Sequence, residues 1–432
     1  MKPIDPGTAP AEKLSPLAGL SSTSLDTVRY GIGRIKQSWY ACLHWLCVRI
    51  YFDRVTAHHP EHLPESGPTL YVGLHRNGAV DGFVYQQVLP RAIFLISTQL
   101  RRSFLARLFF HGIAIARKSD DEDRSHNDEA LHECLHLLNG GGELFVFPEG
   151  TSSLGPHHLS FKSGAARLAL GALERGIPLR IIPIGIHYER AWAFRSEVEV
   201  VIGEPIATGF SADCSNLGRL KEMKRRIASA LESVGANFPS TETQENAERI
   251  ACVATLWTPC NYFSALKSLE AGASGSVLSH WQELAPQFAV PRMLLYQGFP
   301  LYPLGPWPLY LIGLLALGSI VLAGALVNAP PLFLGWLAAR KFADGQNVIA
   351  LWRILIGLPV FMIWFGVVNV LLAFFAGWKG VLGYILLTGG ALKSFSRATR
   401  IGVAVWNGLT HWELAPQVHE FRKSVHHTFA HP

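Results

Sequence analysis

Two stretches of this 432-residue chain contain no Asp, Glu, Lys or Arg: 47 residues between Arg292 and Arg340, and 25 between Arg353 and Lys379. A soluble core does not call for such runs, because a helix packed on one side still has a solvent face to cover with charge. Within the first, Leu309 to Val327 has Ser319 as its only clearly polar member. A bilayer core about 30 Å thick takes roughly 20 helical residues at about 1.5 Å each. Within the second, Ile354 to Trp378 is long enough to cross, tilted or bent at Gly357 and Pro359. The pattern predicts a C-terminal transmembrane hairpin with both flanks on one side. Lys379, Lys393, Arg397 and Arg400 follow the second run with no acid before Glu413, which by the positive-inside bias places that flank and the large N-terminal part in the cytoplasm. Arg340, Lys341 and Arg353, in or beside the connecting loop, pull the other way and keep a re-entrant hairpin open. The apolar piece Val381 to Leu392 is too short to cross and reads as interfacial.

Charged residues make up 16% of the chain and hydrophobic ones 49%, which excludes a disordered, collagen-like or coiled-coil chain. The net charge of +6 comes without a long basic run, so an anionic lipid surface fits better than a nucleic acid, and no nucleic-acid partner is expected. The six cysteines, at positions 42, 47, 134, 214, 252 and 260, form no C-x-x-C pair and read as reduced packing residues. Residues 1–24 are rich in Pro, Ser and Ala without an apolar core, and are expected to be a disordered tail rather than a cleaved leader. Ser38 to Arg49, with Trp39, Tyr40, Leu43, Trp45, Leu46 and Val48, suits a helix lying on a bilayer or packing on the domain that follows.

From Thr69 onward, apolar runs of strand length alternate with helix-like segments: Thr69 to Leu74, Ala92 to Ser97, Gly112 to Ala116, Glu143 to Phe147, Leu179 to Ile186 and Val198 to Ile202. That order predicts an α/β domain. Helices are expected over Asn127 to Leu138 and over Ser163 to Arg175, the latter ended by Gly176. After Pro205 the pattern turns helical through Gln287, Leu220 to Val234 being the clearest amphipathic piece.

Chemistry-bearing residues follow the strands. His75 and Asp81 stand in Leu74-His75-Arg76-Asn77-Gly78-Ala79-Val80-Asp81-Gly82, after the first strand; an imidazole beside a carboxylate is a general base with its tautomer fixed. Six positions on an ideal helix are about 240° of rotation, so the pair meets only if the chain turns at Asn77 and Gly78. Phe147-Pro148-Glu149-Gly150-Thr151-Ser152-Ser153 also leaves a strand end, where Pro148 breaks the ladder and Gly150 permits a sharp turn. Phe161-Lys162-Ser163-Gly164 puts a basic residue at a helix start, which favours an anion. His132-Glu133-Cys134-Leu135-His136 fits the H-E-x-x-H zinc-protease pattern, as a competing reading.

The ordered set of His75 to Asp81, Gly112-Ile113-Ala114-Ile115-Ala116-Arg117, Phe147 to Thr151 with Phe161 to Gly164, and Ile182-Pro183-Ile184-Gly185-Ile186 resembles the four motif blocks of the phospholipid/glycerol acyltransferase family, over about Thr69 to Ile206. The resemblance implies an acyltransferase-type mixed sheet flanked by helices, with a helical accessory region and the C-terminal membrane hairpin. It implies transfer of an acyl group from acyl-CoA or acyl carrier protein to a hydroxyl of lysophosphatidate or glycerol 3-phosphate, with no metal and no other cofactor. His75 would remove the hydroxyl proton and Asp81 would orient the imidazole. Glu149, Gly150 and Thr151 match the acceptor-binding block and Arg117 the basic residue for the acceptor phosphate. Two departures stand out. Five residues separate His75 from Asp81 where the commoner pattern has four, and Ser152 stands where the family commonly has Arg; Arg76, Lys162 or Arg167 could take over that phosphate contact. The expected organisation is a tail (1–24), an interfacial helical segment (25–62), an acyltransferase domain (63–206), a helical accessory region (207–291), a membrane region with about two crossings (292–400) and a cytoplasmic tail (401–432). The expected partners are membrane lipids, the acyl thioester donor and the glycerol phosphate or lyso-lipid acceptor. The alternatives are a catalytically idle lipid-binding protein on the same fold, or an acyltransferase for another lyso-lipid.

Overall fold

Strands that are apolar on both faces require a sheet with helices on each side, and the middle of the chain builds one. The computed structural model describes residues 39–102, 104–116, 127–211 and 213–430. The strands are β1 (Arg54–His58), β2 (Thr69–Gly73), β3 (Ala92–Ser97), β4 (Ile113–Ile115), β5 (Glu143–Val146), β6 (Arg180–Tyr188) and β7 (Glu197–Ile202), in the order β1-β7-β6-β2-β5-β3-β4. β6 and β7 are antiparallel and every other neighbouring pair is parallel. β2 and β5 are wholly buried and adjacent, with Tyr71 opposite Phe145. Their C-terminal ends therefore leave the sheet side by side. β1 escaped the sequence reading because Arg-Val-Thr-Ala-His, although it alternates, carries no apolar run and just two small apolar side chains; it is a partly exposed edge strand.

The helices of this layer are α1 (residues 39–51), α2 (Val80–Val88), the short α3 (Gln99–Arg102) and α4 (Phe104–Phe109), α5 (Asn127–Asn139), α6 (Gly164–Glu174) and α7 (Asn216–Ser233). α1 buries Cys47, Val48 and Tyr51 against the domain and leaves Trp39 and Trp45 about half exposed. α6 ends as its sequence predicts: Gly176 takes φ 73°, its N–H bonds to the Leu173 carbonyl and that of Ile177 to the Ala172 carbonyl, a Schellman closure. The accessory helices α8 (Thr241–Trp257), α9 (Tyr262–Glu270) and α10 (Gly275–Leu284) form a second core.

The C-terminal region contains two candidate apolar helices long enough to cross a membrane. α11 (Trp307–Val327) is one. α12 (Ala329–Phe342) and α13 (Gln346–Trp352) lead through a π-helical turn at Arg353–Gly357 into α14 (Leu358–Thr410). Gly377, at φ 63° and ψ −165°, breaks α14 into two arms. The arms fold back on each other, since the Phe365 and Tyr384 rings lie 5.2 Å apart. The second arm packs on α11: a Cβ at Gly324 would strike that of Ala391, and Asn328 bonds to Thr388 and Tyr384. Small residues at a helix crossing let the backbones approach without any aqueous driving force. The piece Val381 to Leu392, expected to be interfacial, is thus part of a long packed helix. The end of the connecting segment is tied to the sheet layer: Arg353 donates to the Trp192 carbonyl at 3.0 Å and the Tyr51 hydroxyl at 3.4 Å. After residue 400, α15 (Ala415–Phe429) buries Val418, Phe421, Val425 and Phe429 in the second core, the i, i+3, i+7 pattern of a packed face.

β6 and α7 approach closely at Gly185, where a Cβ would collide with the Val234 carbonyl oxygen at the end of α7. Gly185→Ala is expected to destabilise the fold by about 1–3 kcal/mol, read as a lower midpoint of chemical unfolding in detergent. An unchanged midpoint would contradict this packing.

Candidate active site

The turn after β2 brings His75 and Asp81 together. Gly78 takes φ 53°, Asn77 and Gly78 carbonyls accept from the Val80 and Asp81 N–H groups, and α2 begins at Val80. Asp81 sits in the first turn of α2, where the helix dipole favours a carboxylate. His75 Nδ1 lies 2.9 Å from Asp81 Oδ2. Asp81 has no exposed surface, and three other groups donate to it: Arg76 N at 2.7 Å, Asn77 N at 2.9 Å and the Tyr188 hydroxyl at 2.7 Å. Burial, then the Asp81 charge, pushes the Tyr188 phenol well above its usual value, so it stays a donor. Asp81, an acceptor held among donors, therefore accepts a hydrogen bond from His75 Nδ1–H, which leaves Nε2 as the acceptor.

Glu149 projects from the end of β5 but turns inward. It is 2% exposed, and its carboxylate accepts from the His75 and Leu159 N–H groups at 3.3 and 3.4 Å. Burial raises its carboxyl, and those backbone bonds oppose the rise. The His75 ring stacks on Phe147 at 4.1 Å, and Ser153 N donates to the His75 carbonyl at 3.0 Å. The β5 loop thus fixes both the ring and the backbone of His75. Gly150, at φ 73°, makes room for the Lys162 side chain, which a Cβ would strike.

His75 opens on a cavity of about 1120 Å³. Its lining includes Thr151, Ser152, Lys162, Ser163 and Arg167, and much of the remainder is apolar, with Phe83, Phe94, Ile96, Phe110, Leu131 and Val146. Ser163 caps α6 without a side-chain bond, so the first N–H groups of that helix are open to an anion there.

The structure brings His75, Gly150, Thr151 and Lys162 onto this cavity, with Asp81 and Glu149 behind His75. It does not bring Arg76 there: its guanidinium donates to the Gly155 carbonyl at 3.2 Å and lines a separate cavity of about 120 Å³ with His158, His187, Glu189, Glu248 and Tyr262. Arg117 lies outside the described residues. His132 and His136 are exposed on α5, and among the described residues no three His, Cys, Asp or Glu side chains cluster as a metal site. Sequence reasoning missed Tyr188, two residues past the last motif block, and Asn347 and Leu351, which reach the site from the C-terminal region. None carried a local signal, since each acts through a tertiary contact.

Residues 54–187 match the model of the Acyltransferase family, which marks this stretch as an acyltransferase domain. The chain is 30% identical over 127 residues to glycerol-3-phosphate O-acyltransferase 2 of Saccharomyces cerevisiae and 30% over 120 residues to glycerol-3-phosphate O-acyltransferase 1 of that yeast. These matches take in 28% and 26% of this chain but only 17% and 16% of the relatives, less than a fifth of their length. The solved 1-acyl-sn-glycerophosphate acyltransferase PlsC of Thermotoga maritima is 19% identical with a TM-score of 0.35, covering 49% of this chain and 84% of that one.

Two variants test the electrostatics. Tyr188→Phe removes a bond to a buried charge and is expected to cost about 1.5–3 kcal/mol of stability, read by chemical unfolding; no loss would mean that the bond is not made. Burial, then Glu197, raises the Glu189 carboxyl from 4.5 to about 7. The folded state thus holds this proton more tightly than the unfolded one, and the associated stability, complete below pH 4.5, is lost as pH rises through 7. Glu189→Gln is expected to stabilise the protein above pH 7 by on the order of 3 kcal/mol, with little effect in acid. An equal shift at both ends of the pH range would contradict the assignment.

Proposed function

We propose that this chain is a membrane-associated O-acyltransferase that moves a fatty acyl group from acyl-CoA or acyl carrier protein to a hydroxyl of glycerol 3-phosphate or lysophosphatidate. The observation that carries the reading is the His75–Asp81 pair, 2.9 Å apart, opening on a large, mostly apolar cavity that Lys162 and Arg167 also line. His75 Nε2 takes the acceptor hydroxyl proton as the oxygen attacks the thioester carbonyl. The tetrahedral intermediate collapses by breaking the C–S bond, and the imidazolium returns its proton to the departing thiolate. Asp81 stabilises the imidazolium. No acyl-enzyme is needed, and Cys134, the cysteine on the cavity, has its thiol pushed up to about 12 by burial, which disfavours a thiolate nucleophile.

Lys162, Arg167 and the start of α6 would hold the acceptor phosphate, and the apolar lining of the cavity would hold the acyl chain. The exposed apolar residues of α11 and α14, among them Leu315, Ile363, Phe374 and Trp378, support membrane association. The cytoplasmic placement of the catalytic domain rests on the basic residues that follow the second run.

The test uses the full chain in detergent, labelled acyl thioesters and a panel of glycerol 3-phosphate, lysophosphatidate and other lyso-lipids. His75→Ala is expected to lower kcat/KM by about 10² to 10⁴-fold for one phosphate acceptor. A folded His75→Ala protein with wild-type rates would remove the base. No turnover by the wild type with any acceptor would favour the idle lipid-binding reading.

A further inference from the structure

The segment between the two apolar runs is built into the catalytic domain. Ala350, Ile354, Leu355 and Leu358 are at most 7% exposed and belong to the same core as the strands. Asn347 Nδ2 donates to Ser152 Oγ at 2.8 Å, and the Asn347 carbonyl lies against Gly78, the residue that turns the His75 loop. Ser152 is joined to Ser153, whose N–H holds the His75 carbonyl. One residue from the C-terminal region thus reaches both loops that fix His75, its side chain at Ser152 and its backbone carbonyl at Gly78. One turn further on, Leu351 lines the cavity on which His75 opens. The π-helical turn at Arg353–Gly357 follows at once, and Arg353 ties it to Trp192 and Tyr51; such turns are frequent at functional sites.

A membrane anchor has no need of a leucine in the cavity or of an amide on Ser152. We propose that Gln346–Leu358 is a wall of the active site, that Leu351 on this wall limits the acyl chain the cavity accepts, and that Asn347 is a positioning residue that holds the wall through Ser152. The role of Leu351 rests on the acyl-transfer reading above; the role of Asn347 does not. The serine at position 152 then has a structural task, as the acceptor for Asn347, and phosphate recognition falls to other cations.

The experiment uses the full chain in nanodiscs with saturated acyl thioesters from medium to long chain. Leu351→Phe and Leu351→Trp are expected to lower kcat/KM for the longest chains by about tenfold relative to the medium ones, the scale of a steric change in an apolar pocket. Leu351→Ala is expected to shift the preference toward longer chains. The same chain-length profile in wild type and all three variants would overturn the role of Leu351, and if Leu351→Trp fails to fold, the phenylalanine and alanine variants decide. Separately, Asn347→Ala and Ser152→Ala are each expected to speed backbone hydrogen exchange over residues 149–153, with no further gain in the double variant. Unchanged exchange would overturn the wall. If the wild type transfers no acyl group, the acyl-transfer reading and the role of Leu351 fall together, while faster exchange in Asn347→Ala would still uphold the wall.

Discussion

A carboxylate without exposed surface is tolerated only when its lone pairs are met, because an unpaired buried ion costs several kcal/mol. Asp81 meets that condition with two backbone N–H groups, the His75 imidazole and the Tyr188 hydroxyl. Those donors come from the β2 loop and from the last residue of β6, and the carboxylate itself belongs to α2. Satisfying one charge therefore fixes three elements relative to one another. Within the His75-to-Asp81 loop Asn77 is held at both ends, since its N–H reaches Asp81 and its amide donates to the Ala191 carbonyl at 2.7 Å.

Parallel pairing does the rest of the assembly. β2 and β5 run side by side in the same direction, so residues that follow them, 74 positions apart in sequence for His75 and Glu149, emerge at one edge of the sheet. That edge is where open α/β sheets hold their sites. Glu149 illustrates how little a motif position says about orientation. It leaves the strand end as its place in the sequence suggests, yet its carboxylate turns under the His75 backbone and does not line the cavity.

Six strands were legible because each is a short apolar run bounded by breakers, a signal that depends on burial alone. β1 was not, since an edge strand can be as polar as Arg-Val-Thr-Ala-His. The His75, Asp81, Gly150 and Lys162 positions were legible as an ordered set of motifs. Tyr188, Asn347 and the inward turn of Glu149 were not, because hydrogen bonds between residues far apart in sequence leave no periodicity behind. The fold-back at Gly377 was hidden for a further reason: a glycine inside an apolar helix is common, and only its positive φ reveals a break.

An apolar run carries an ambiguity that hydropathy does not resolve, since lipid and protein interior reward the same side chains. In the run that begins after Arg353, Ile354, Leu355 and Leu358 face the catalytic core, whereas Ile363, Val370, Phe374 and Trp378 are 69–82% exposed. One continuous segment thus serves two environments, and the change falls near Pro359, a few residues past the π-helical turn. Read as a single crossing, the run assigns its first residues to the membrane; in the fold they belong to the core under the sheet domain. A helix whose base is embedded in the catalytic core and whose far arm is apolar on its surface couples the two mechanically, because the base cannot shift without disturbing Asn347 and its contact with Ser152.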